Sequence, residues 1–168
     1  VRDLLRQDPY LPSRVAENMF WLGRYSERCD NNARLLRSAL SRHIDLLGET
    51  DLTLGIALNS CRFLGLYSPQ AEDISQQLLA GICDKKWSGS LVANLQSLIW
   101  SASQVRGRLS QENWITIAEL QQESDSLDPK TLELGEALSF VDRLLMSLSA
   151  LSGFALDDMT QDNSWRFL

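Results

Sequence analysis

A chain of 168 residues, 44% hydrophobic and 23% charged, fits one domain with a real core, and it holds no run of about 18 apolar residues that would span a membrane and no secretory apolar leader. A net charge of −6 and a pI near 4.8 argue against nucleic acid or an anionic membrane as the main partner. Cys29, Cys61 and Cys83 are odd in number and widely spaced in helical patterns, which reads as packed, reduced thiols in a cytoplasmic protein.

Residues 1–12 contain Pro9 and Pro12, which force an extended approach, so this stretch reads as a linker or the tail of a preceding domain. Ser13 is the expected N-cap of a long helix from Ser13 to Leu47. On a helical wheel Val15, Met19, Leu22, Cys29, Ala33, Leu36, Leu40, Ile44 and Leu47 form one apolar stripe. A second stripe carries Glu17, Trp21, Arg24, Arg28 and Asn31, with Glu27 beside it. Phe20, Trp21 and Tyr25 widen the apolar coverage, so the charges between them are expected to be partly desolvated and to need a partner. His43, the single histidine, is expected on the helix surface.

Gly48 ends that helix. Further helices are expected at 52–64, 69–83 (Ser68 as cap, Pro69 at the first position), 90–107, 111–123 (capped by Ser110) and 129–152. Their apolar seams include Leu54, Ala57, Leu58, Cys61 and Leu64; Ile74, Leu78 and Ile82; Leu91, Leu95, Leu98 and Ala102; Trp114, Ile117, Ala118 and Gln121; and Leu134, Leu138, Val141, Leu145 and Leu148. Residues 157–162 read as a turn, with a new helix starting near Asn163. No segment alternates with period two. Short connections between amphipathic helices predict an all-α, antiparallel bundle of about six helices. The chain begins at Val1 and ends at Trp165-Arg166-Phe167-Leu168, and both ends suggest a fragment of something longer.

Charge is unevenly placed. Residues 1–43 hold eight arginines against five acids, whereas 44–168 hold 8 basic and 17 acidic residues. Intramolecular docking of the basic helix on acidic neighbours would explain this, and so would an external acidic ligand, since arginine suits bidentate carboxylate contacts. Phosphate-binding glycine loops, a nucleophile elbow, and paired Cys or His spacings are absent, so independent catalysis and metal binding are disfavoured. Two clusters remain. Arg24, Glu27 and Arg28, with Glu17 and Trp21, are the candidate binding residues. Arg106, Arg108 and Ser110, where one helix ends and another begins, form a weaker candidate anion site.

The run S-R-V-A-E-N-x-x-W-L-G-R-Y-x-E-R from Ser13 to Arg28, followed by Asn32-Ala33-Arg34, resembles the opening of the alpha-E domain family, a group of bacterial helical domains named for a Glu-Arg motif. A weaker likeness continues at Val105 to Trp114. The resemblance makes Glu27 and Arg28 the Glu-Arg pair and residues 13–168 an alpha-E-like domain, truncated before a second Trp-x-Phe-Leu copy. It also implies association with a circularly permuted ATP-grasp ligase, fused or encoded nearby, and a setting of peptide ligation or modification. ATP and magnesium would belong to that partner, and no cofactor is expected here. The resulting expectation is a non-catalytic accessory module that helps bind an acidic or peptide substrate. The rival expectation is a structural scaffold or oligomerisation domain whose Glu-Arg cluster fixes helix packing.

Overall fold

The computed structural model describes residues 13–66, 73–128 and 130–157, with side chains as far as 153. Six α-helices occupy these residues: α1 (Ser13–Asp45), α2 (Leu52–Phe63), α3 (Ile74–Cys83), α4 (Leu91–Gln104), α5 (Gln111–Ser126) and α6 (Leu134–Asp157), with a 3₁₀ turn at Arg106–Arg108. No strand occurs among the described residues. The all-α expectation holds.

α1 is the axis of the bundle. Its buried residues Ala16, Met19, Leu22, Cys29, Ala33, Leu36, Ala39 and Leu40 recur every three or four positions, so one stripe faces inward along most of its length. α4 and α6 are its largest neighbours, followed by α2 and α3, while α5 rests on α6 and α4. Leu91, Leu95 and Leu98 of α4, Leu78 and Ile82 of α3, and Phe140, Val141 and Leu144 of α6 close the core around it.

α2, α3 and α4 each run antiparallel to α1; at α3, Ser75 near its start meets His43 and Gly81 near its end lies beside Leu36. α2 starts where Asp51 meets Arg42 and ends with Leu64 beside Arg24 and Arg28. Along α4, Asn94 lies by Arg28 and Trp100 by Trp21. α5 and α6 form a hairpin held at Glu123 and Arg143, 3.0 Å apart.

Three boundaries and one buried face differ from expectation. α1 ends at Asp45, because Leu47 (φ 50°) and Gly48 (φ 93°) turn the chain left-handed; Leu47, expected in the apolar stripe, is 93% exposed. α3 begins at Ile74, capped by extended Asp73, whose carboxylate accepts the Gln76 amide at 2.7 Å; the Ser68-Pro69 start lies outside the described residues. α6 runs later, from Leu134 to Asp157, so the turn expected from 157 begins inside a helix. In α5 the buried positions are Asn113, Ile117, Leu120 and Ser124, one step round from the expected face, and Ala118 and Gln121 are exposed. Residues 1–12 and the restart at 163 lie outside the described residues.

His43 is also a correction. It is buried at 7% exposure, with Nε2 2.9 Å from the Ser75 hydroxyl of α3. Three residues past Leu40 and seven past Leu36, it falls on the inner stripe, where α3 covers it.

Asp51 ties the α1–α2 corner together. Its carboxylate accepts the Leu54 amide at 2.8 Å as N-cap and pairs with Arg42. The Arg42 hydrogen bond, then the Leu54 amide, hold its pKa below the ordinary 3.8. A depressed carboxylate stabilises the fold above its unfolded pKa and loses that contribution as pH falls through the folded value. Asp51→Asn, which keeps a capping oxygen but not the charge, is therefore expected to lower the urea midpoint at neutral pH, with the gap to wild type closing in acid. A constant gap from pH 7 to pH 3 would contradict this.

Candidate functional site

The aromatic and charged segment of α1 is open to water, contrary to expectation. Glu17, Phe20, Trp21, Arg24, Glu27 and Arg28 are all exposed. Arg24 donates to Glu27 at 3.1 Å with 56% and 63% of the two side chains solvated, a pair of little net stability. The wheel counts rings as cover, but only a neighbouring helix excludes water, and among the described residues none lies over this sector. Phe20 instead packs edge-on to Trp21 at 5.5 Å, and Trp21 lies 5.7 Å from Tyr25.

What the sequence did not show is a cleft beside these charges. Arg24, Glu27, Arg28 and Asn31 form one side of an open depression of about 380 Å³. Buried Asn32 and Asn94, Leu64 of the α2 end and the Ser88-Gly89 turn form the rest. Asn94 was legible in principle as a polar residue at the buried spacing between Leu91 and Leu98. The others come from three separate parts of the chain.

The far wall is built by close backbone approaches. α2 ends with Gly65 at φ 70°, where the Gly65 amide donates to Arg62 O at 3.1 Å and the Leu66 amide to Cys61 O at 2.9 Å, a paired C-cap that requires a left-handed residue. Trp87 Nε1 donates to Gly65 O at 2.9 Å. A Cβ on Gly89 would lie 2.0 Å from that same carbonyl, and one on Gly81 would lie 2.6 Å from Leu66 O. Asn94 Nδ2 then donates to Ser90 O at 2.7 Å and Gly89 O at 3.2 Å, while Ser90 Oγ donates to Asp84 O at 2.6 Å. The wall is rigid because its carbonyls are held by side chains.

Electrostatics single out one residue of the cleft. Of the described α1 arginines, Arg34 pairs with Asp30 at 2.8 Å, Arg37 with Asp142, Arg42 with Asp51 and Arg24 with Glu27. Arg14 and Arg28 make no ion pair among the described residues. The basic excess of the N-terminal part is thus largely answered within the fold, but Arg28 leaves the cleft with one uncompensated positive charge. Arg28 also acts on its neighbour: burial pushes the Cys29 thiol up to about 12, and the Arg28 charge offsets part of the rise. Burial likewise raises Cys61 to about 12 and Cys83 to about 11.

At the second cluster, Arg106 stacks over Trp114 at 4.7 Å, and the Ser110 hydroxyl accepts the Asn113 amide at 3.2 Å, using a donor an anion would need. Arg108 is half-buried beside them. No group of three or more His, Cys, Asp or Glu side chains with metal-binding geometry occurs among the described residues.

The Alpha-E family, described as a predicted alpha-helical domain with a conserved ER motif, matches residues 11–168. The chain belongs to the Alpha-E family. Uncharacterized proteins of Mycobacterium tuberculosis (strains H37Rv and CDC 1551) and Mycobacterium bovis are 27% identical to it over 175 residues, which is 92% of this chain and 20% of theirs. The chain therefore spans about a fifth of the curated relatives it matches. No solved structure matches it. Glu27-Arg28 is the one Glu-Arg dipeptide in the sequence, and it lies on the cleft. No helix among the described residues is long and apolar enough to cross a membrane.

Proposed function

We propose that this Alpha-E domain is a non-catalytic, cytoplasmic binding module of an ATP-grasp peptide ligation or modification system, and that its cleft receives an acidic group of the substrate. The observation that carries the reading is Arg28, a cation on a polar cleft with no carboxylate partner among the described residues. Arg28 supplies the charge, Glu27 holds Arg24 alongside it, and the Asn94-braced turn forms the opposite wall. Charge-assisted contacts of this kind favour carboxylates. ATP and magnesium belong to the associated ligase domain. With the ligase fused or supplied in trans, Arg28→Ala is expected to lower kcat/KM at least tenfold at unchanged melting temperature. Unchanged turnover by the folded variant would contradict a substrate role.

The solvation of Arg24 and Glu27 favours a second reading, in which the domain is a scaffold and the pair is a surface contact. The scaffold predicts that activity follows the folded fraction alone. Arg28→Ala separates the two.

A further inference from the structure

The cleft has a neighbour on the same pair of helices. Along the same face of α1, Trp21 and Tyr25 border a second depression of about 460 Å³, continued on α4 by Ala93, Ser97 and Trp100. Trp100 is 60% exposed and Trp21 41%, while Ala93 and Ser97 are too short to fill the space between the rings. Trp21, Arg24, Tyr25 and Arg28 are spaced i, i+3, i+4, i+7, so rings and cations share one stripe. Asn94 and Trp100 keep the same order on antiparallel α4. The α1–α4 seam thus carries a cationic depression and, one to two turns along, an aromatic one.

Resting on the cleft reading above, we infer that the α1–α4 seam binds an extended peptide with a carboxylate at Arg28 and a bulky apolar side chain between Trp21 and Trp100. The spacing follows from the helix: seven residues rise about 10 Å, and a peptide extended as polyproline II advances about 3.1 Å per residue with three residues per turn, so two side chains three residues apart span that distance on one face. Charge complementarity selects the occupant. The cleft carries two arginines and one glutamate, a surplus of one positive charge that a single carboxylate answers. The rings offer a surface that an aliphatic or aromatic side chain desolvates. A bare anion would leave the aromatic end unused, and a plain apolar surface would leave Arg28 unpaired.

The test is an NMR titration of the full chain with the acetylated, amidated tetrapeptides Asp-Gly-Gly-Leu and Leu-Gly-Gly-Asp, their Asn counterparts, and doubly blocked aspartate. One of the two acidic tetrapeptides is expected to bind about tenfold more tightly than blocked aspartate and to shift the Trp100 indole resonance. Trp100→Ala should abolish that advantage and leave the affinity for blocked aspartate unchanged. Tetrapeptides no tighter than blocked aspartate would overturn the bipartite seam while sparing the cleft. Asn counterparts binding as well as the acidic peptides would overturn the cleft itself.

Discussion

Gly89→Ala is expected to cost about 3 kcal/mol of stability, the upper end of what overpacking a tight site does. The added methyl would lie 2.0 Å from Gly65 O, 2.7 Å from Trp87 Nε1 and 3.1 Å from Gly65 C. Two of these atoms are backbone, fixed by the α2 C-cap and by the Trp87 hydrogen bond, so neither side can yield cheaply. Relief would require the 84–90 turn to move away from α2, which also opens the far wall of the cleft. Urea denaturation checks the cost. Gly55→Ala is the matched control: it lies inside α2 with nothing within 4 Å of the new Cβ, and helix propensity predicts a gain of about 0.5–1 kcal/mol. Equal effects at the two glycines would show that the approach of the turn to Gly65 is not tight.

Phe140→Ala is expected to cost about 3–5 kcal/mol, the range for emptying a fully enclosed aromatic site. Phe140 is fully buried and is among the largest such side chains of the chain, on the α6 face that also buries Ala137, Val141 and Leu144. The surrounding groups belong to several helices, so collapse into the void requires whole elements to shift. A loss of less than about 1 kcal/mol by chemical denaturation would mean that α6 does not close the core in this way. Because the change removes neither a charge nor a cleft residue, the folded variant should retain ligand affinity, which distinguishes damage to the frame from damage to the site.

The frame was legible because helix periodicity is local. The α1 stripe from Met19 to Leu40 and the Ser110 cap each follow from a few neighbouring residues, and the structure shows them, while α1 stops at Asp45, two residues short of Leu47. Burial of the polar residues was less legible, because it depends on which helix covers which sector. His43 shares its face with Leu36 and Leu40 and is enclosed by α3. Trp21 and Arg24 sit amid rings and remain wet because no helix of the described residues lies over them. At α3 the described helix is capped at Asp73, and the Ser68-Pro69 start signal lies outside the described residues. The Glu-Arg pair was evident from resemblance, while the cleft opposite it was not. Gly89 and Leu64 reach it only through tertiary contacts, with Gly65, Trp87 and Asn94 holding the wall in register.

The most direct measurement of the central claim is the Arg28 guanidinium Nε–H resonance during titration with blocked aspartate, with exposed Arg14 as internal reference. Arg28 is predicted to shift along a saturable curve, and Arg14 to move only weakly and linearly as the salt concentration rises. If both arginines respond alike, with no saturation at Arg28, the cleft beside the Glu-Arg pair is not a carboxylate site.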